Sequence, residues 1–275
     1  MLLAINALAA QEMIGYIAAL IIGISLGLIG AGGSILTVPV LVYLLGVEPV
    51  LATAYSLFIV GTTALMGSVD YMRKKLVNYK AALIFAIPSF VAVFLTRKFV
   101  VPAIPAVLWQ TESFTLTKSV GVMLFFALIM AAAAISMIRN GQKNGATESE
   151  TAPVSFNLPM IGLEGFLVGA LTGLVGAGGG FLIIPALVLF AKLPMKQAVG
   201  TSLLIIAAKS LIGFTGDIGQ QPIDWHFLIT FTTMPIVGIF IGGWLARFIS
   251  GEKLKKGFGW FVLVMAAYMI YKELG

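Results

Sequence analysis

Residues Ser119 to Ile138 contain no ionisable side chain. As a helix such a run rises about 30 Å, the thickness of a bilayer's hydrocarbon core. In that medium every backbone N–H and C=O must be paired within the protein, so only helices and closed barrels can span it. Barrel strands alternate polar and apolar residues, and this run does not. The rest of the 275-residue chain agrees: 60% of it is hydrophobic, 10% is charged, and its mean hydropathy is +1.05. A soluble domain carries about 25% charged residues. The expectation is an all-α polytopic protein of the cell (inner) membrane, with the lipid bilayer as its main surroundings.

The net charge of +6 comes from short basic clusters beside apolar runs, where the positive-inside bias places them. No nucleic-acid partner is expected. The chain has no cysteine and one histidine, His226, which excludes disulfides, thiol catalysis and a Cys- or His-rich metal centre. No nucleophile elbow, zinc helix or carboxylate dyad is present, so no enzyme activity and no cofactor are expected. The first residues, MLLAINALAAQE, lack the basic start of a signal peptide and read as the beginning of the first helix or as an interfacial segment.

Glycines break two of the apolar runs. GLIGAGGSILTVPVL, Gly27 to Leu41, returns as GLVGAGGGFLIIPAL, Gly173 to Leu187. The shift is 146 positions (Gly178 minus Gly32), and in that register Gly27–Leu57 and Gly173–Leu203 agree at 13 of 31 positions. Matching Gly, Pro and Ser in one ungapped register indicates an internal duplication. The polar stretch RNGQKNGATESETAPVSFN, 139–157, reads as a linker. The expected division is a first repeat at 1–138, a cytoplasmic linker at 139–158 and a second repeat at 159–275. The apolar segments of the first fall near 12–30, 35–46, 50–69, 80–97 and 119–138. Those of the second fall near 159–176, 181–191, 197–215, 225–247 and 257–272.

Five segments per repeat turn the second repeat upside down relative to the first, the plan of many secondary transporters. The basic loops 70–80 and 247–256 then belong inside, and the acidic loop 216–224 belongs outside. The 97–118 region, with its Pro- and Trp-containing stretch, reads as an external interfacial segment, although Arg97, Lys98 and Lys118 pull the other way. Both termini are expected outside.

The segments after the glycines are short. From Ile35 to Gly46 a helix rises about 18 Å, less than the core thickness. Such a helix is expected to start within the membrane, with Ser34 or Thr37 as its cap and Pro39 near its first turn. Its free N–H groups favour anions. Two such starts near the midplane would make an anion cradle from Gly32, Gly33, Ser34, Gly178, Gly179 and Gly180. The competing reading is close helix packing through small residues.

Lys209 stands within an apolar run, IIAAKSLIGF, where a cation costs about 2.5–3.5 kcal/mol on insertion scales. Either it charges an anion site, with Ser56, Thr201 and Ser202 as hydroxyl donors, or it snorkels to the external interface. Asp217, Asp224 and His226 flank the external loop. They are solvated groups, or else Asp217 and His226 serve coupling or gating. Asn78, the counterpart of Asp224, reads as a helix cap.

The paired GAGGS and GAGGG, Pro39 and Pro185, and the following ATAYS (52–56) and AVGTS (198–202) resemble the sulfite exporter TauE/SafE family. The resemblance implies a secondary transporter of small sulfur-containing anions such as sulfite and organosulfonates. It also implies a site at the matching glycines, Ser56, Thr201 and Ser202. Ser34 stands where the second knot has Gly180, so the two knots are not strictly symmetric. The expected function is alternating-access transport of such an anion, with protons the first candidate for the driving ion. A channel-like anion permease and a non-transporting membrane binding or scaffold subunit remain the alternatives.

Overall fold

The computed structural model describes the backbone at 2–30, 33–110, 115–140, 158–176, 178–189, 191, 193–246, 248 and 251–274. Linker residues 141–157 and Gly32 lie outside the described residues.

Ten helical segments carry the fold among the described residues. The first five are α1 (Leu2–Ile29), the short α2 (Gly33–Leu44), α3 (Pro49–Arg73), α4 (Tyr79–Ala103) and α5 (Lys118–Asn140). The second five are α6 (Leu158–Val175), α7 (Gly180–Leu189), α8 (Met195–Thr215), α9 (Trp225–Leu245) and α10 (Gly251–Leu274). Among the described residues, five helices are long and apolar enough to cross a membrane. Leu83, Ile87, Val91 and Leu95 form one exposed stripe along α4, a face suited to lipid rather than water. The chain is an all-α polytopic membrane protein.

Two details differ from expectation. The 97–118 region contains a small antiparallel hairpin, β1 (Val107–Gln110) with β2 (Thr115–Thr117). The α2 segment is irregular, passing from 3-10 turns through a short α stretch to π turns. Thr37 does not cap it, because its buried hydroxyl has no hydrogen-bond partner.

The packing follows the 146-residue register. α1 lies on α9 and α6 lies on α4, while α3 crosses α8 and α5 pairs with α10. Gly23 and Gly27 of α1 touch the backbone of α9 at Pro235 and Ile239; Gly169 and Gly173 of α6 touch that of α4 at Ser89 and Val93. Each residue of the second set is 146 beyond, or before, its counterpart in the first. Small residues at these crossings let backbones approach to contact. The caps repeat as well. The Ala81 N–H donates to Asn78 Oδ1 at 3.0 Å, and the Phe227 N–H donates to Asp224 Oδ1 at 3.0 Å.

Loop contacts sort the two ends of the bundle. At one end the α3–α4 turn, carrying Arg73, Lys74 and Lys75, meets the start of α8 through Leu76 and Gly200. Tyr71 and Trp244 share a cleft there, which brings in the end of α9. This is the basic end. At the opposite end Gln220 donates to the Lys98 carbonyl at 3.3 Å and Arg97 pairs with Asp217. The end of α4, the α8–α9 loop and the start of α3 therefore lie together.

Candidate functional site

Each knot forms where a helix stops inside the bundle. The Gly30 N–H donates to the Leu26 carbonyl at 2.7 Å, and the Gly176 N–H to the Thr172 carbonyl at 2.7 Å. Both glycines then turn through positive φ, +77° and +74°, a region that side chains with a Cβ rarely adopt. Gly30 abuts Val199 of α8, and Gly176 abuts Thr53 of α3. Each knot is thus wedged against the long helix of the other half, and those two residues are again 146 apart.

The knots also meet each other. A methyl group at Gly178 would sit 3.2 Å from Ser34 Cβ, beside Val60 of α3 and Ile206 of α8. Gly33, Ser34, Gly178, Gly179 and Gly180 are all buried. Gly178 lies between α3 and α8, Gly179 faces α6 and Lys209, and Gly33 packs back against α1 at Ile22 and Leu26.

Lys209 completes this region. Its side chain is fully buried, and Nζ donates to Thr172 Oγ1 at 2.8 Å. A methyl at Gly179 would lie 2.7 Å from the same Nζ. The lysine therefore reaches into the second knot and does not snorkel. Among the described residues no carboxylate lies within 4.0 Å of it. A buried ammonium without a counter-charge is costly, and a bound anion would remove the cost. Thr172 was not singled out from the sequence. Its register partner is Leu26, so the repeat gave no signal for it.

The hydroxyls divide. Ser56 Oγ is buried without a partner, one turn before Val60 on α3. Ser202, at the matching place on α8, donates back to the Val199 carbonyl at 2.8 Å. Thr201 does different work: its Oγ1 accepts the Asn78 N–H at 2.9 Å. Tyr55, its register partner, accepts the Asp224 N–H at 2.7 Å. These two bonds tie the α3–α4 and α8–α9 loops to the opposite half, so Thr201 lies apart from the Lys209 cluster.

The loop acids also separate. Asp224 is the α9 cap, and His226 is exposed on the first turn of α9. Asp217 is not a solvated group. Only 2% of it is exposed, and its Oδ2 accepts from Arg97 Nε at 2.7 Å. Burial pushes its carboxyl above the usual carboxylate range, and Arg97 opposes that shift. Arg97 is itself 1% exposed and donates through Nη1 to Thr53 Oγ1 at 2.8 Å and to the Gly173 carbonyl at 3.1 Å. Its Nη2 has no hydrogen-bond partner. From sequence Arg97 counted as a loop base on the wrong side. Buried and paired, it carries no weight in the positive-inside balance.

The comparisons with known proteins agree with this architecture. Residues 15–269 match the family described as Sulfite exporter TauE/SafE. A probable membrane transporter protein of Xylella fastidiosa (strain 9a5c) is 30% identical over 256 residues, covering 92% of each chain. The probable membrane transporter protein YunE of Bacillus subtilis (strain 168) is 29% identical, over 86% of this chain and 88% of its own. The probable membrane transporter protein MJ0441 of Methanocaldococcus jannaschii is 37% identical across 118 residues, 41% of this chain and 44% of its own. No solved structure matches the chain. A family match over nearly the whole length, joined to two wedged glycine knots in a helical bundle, makes this chain a member of the sulfite exporter TauE/SafE family of membrane transporters.

Proposed function

We propose that the chain is a secondary transporter that moves a small anion, a sulfur oxyanion such as sulfite or a short organosulfonate, by alternating access. The observation that carries this reading is Lys209: a lysine amine fully buried in a membrane bundle, with no carboxylate near it among the described residues, against the second glycine knot at Thr172 and Gly179. The anion would take its charge from Lys209 and hydrogen bonds from Thr172, Ser56 and the knot amides at Gly178, Gly179 and Gly180. Ser34 and Gly33 would close the site from the first knot, and Ser202 would flank it. Thr201 is better supported as a structural tie.

The two halves, 1–138 and 159–275, are proposed as inverted repeats that rock about this site. Support comes from the contacts that recur at an offset of 146 residues, and from the sorting of loops into a basic and an opposite end. The basic end is assigned to the cytoplasm, with the 139–158 linker. Both termini then belong outside, and the inner membrane is the expected location. Nothing in the chain resembles an ATPase, so an ion or substrate gradient supplies the driving force; protons are the first candidate.

The test uses purified protein in proteoliposomes with labelled sulfite and methanesulfonate. Saturable flux with counterflow is expected. Single-channel currents would replace the carrier by a channel, and an absence of flux and of anion-dependent thermal stabilisation would remove the transport reading altogether.

A further inference from the structure

The two ends of the bundle are not equivalent, and the difference falls at matching positions. Near the basic end a cleft of about 190 Å³ is lined by Gly27, Gly67, Tyr71, Leu203, Ile239 and Gly243 among others. Moving each of these by 146 residues leads to Gly173, Gly213, Asp217, Leu57, Val93 and Arg97. These residues meet at the opposite end. Arg97 binds Asp217 and the Gly173 carbonyl, while Gly213 packs against Val93 and Leu57. Where the basic end has Gly243 and an open space, the opposite end has a full-length arginine. Where the basic end has Tyr71, the opposite end has the carboxylate that holds that arginine. Arg97 also reaches Thr53, the residue on which the second knot rests. The plug therefore joins α4, α3, α6 and the α8–α9 loop in one set of charge-assisted hydrogen bonds.

We propose that Arg97 and Asp217 are the closed gate of the transport path at the end opposite the basic loops, and that the Tyr71–Gly243 cleft is the open mouth of the same path. The structure is then the state facing the basic end. Opening the other way requires the Arg97–Asp217 pair to part and the cleft to close around Gly243. Breaking a buried ion pair by removing one partner is strongly unfavourable, so the pair sets how often the far side opens. The inference rests on the alternating-access reading above, but it concerns the gate and not the cargo.

The chain has no cysteine, so single-cysteine reporters need no prior background removal. Val93 and Ile239 are register partners, buried to 0% and 3% exposure. Val93→Cys lies behind the plug and Ile239→Cys lines the cleft. In proteoliposomes, an impermeant thiol reagent is expected to modify Ile239→Cys from the basic end at least about tenfold faster than it modifies Val93→Cys from the other end. Adding Asp217→Asn should raise the Val93→Cys rate by about tenfold or more. Equal rates for the two reporters in the otherwise unaltered protein overturn the gate, and that comparison needs no gate variant to fold. A Val93→Cys rate unchanged by Asp217→Asn, in protein that keeps its thermal transition, overturns it too. If the reporters behave as expected and no anion flux is found, the gate stands and the cargo assignment fails; flux with equally reactive reporters is the reverse.

Discussion

At the scale of the residue, the chemistry concentrates in a few buried polar atoms. Lys209 and Thr201 make a useful contrast, because the sequence suggested both for anion binding and the structure gives them different partners. Lys209→Met keeps the volume and removes the charge. Losing a charge-assisted hydrogen bond of about 1.5–3 kcal/mol should weaken sulfite affinity by about tenfold to a hundredfold, while the thermal transition without anion holds or rises. Thr201→Val should do the opposite: about 1 kcal/mol of stability is lost with the Asn78 bond, and affinity is unchanged. Thermal melts with and without sulfite distinguish the two. A Thr201→Val protein of normal stability and lost affinity would return Thr201 to the site. Arg97 shows the limit of reading residues one at a time. Beside Lys98 at the end of an apolar run it looks like an interfacial base, and only a contact 120 residues away shows it to be buried.

At the scale of the element, the glycine knots stop α1 and α6 within the bundle and set the direction of α2 and α7. Gly179 has φ +64° and faces Lys209 Nζ. Gly179→Ala therefore carries backbone strain of about 1–3 kcal/mol as well as a collision with the lysine. A lowered thermal transition together with lost anion stabilisation is expected. A Gly179→Ala protein with normal melting and normal anion response would show that the turn is not needed in this form. The glycines at helix crossings, such as Gly23 and Gly169, serve packing. The irregular α2 was not legible. Its apolar residues carry no pattern that separates α, 3-10 and π turns, and of the two candidate caps Thr37 is excluded because its hydroxyl is buried without a partner. The β1–β2 hairpin was missed for a related reason: VLWQ and TLT are too short to announce a strand pair.

At the scale of the whole molecule, the two halves share a contact pattern but end unequally. The contacts recur at 146 residues, but one end is plugged by Arg97 and Asp217 while the other is a cleft. The proposed inversion makes a direct prediction about sidedness. Lys74→Cys, in the α3–α4 turn, and Ile218→Cys, in the α8–α9 loop, are both at exposed sites. An impermeant thiol reagent should reach Ile218→Cys in intact spheroplasts and Lys74→Cys only after the membrane is opened. Labelling of both from one face would refute the inverted arrangement.

What the sequence determined by itself is the solvent, the order of the described helical segments, and the 146-residue register in which their contacts recur. These depend on local hydropathy and on glycine and proline placed in register, and a bilayer enforces them on each segment separately because no backbone group can go unpaired in lipid. What the tertiary structure alone decided is which polar groups lie together. Lys209 meets Thr172, Arg97 meets Asp217, and Thr201 is drawn away to Asn78. Those choices depend on how helices far apart in the chain cross one another, and a side chain's charge or hydroxyl carries no record of the partner that burial will assign to it.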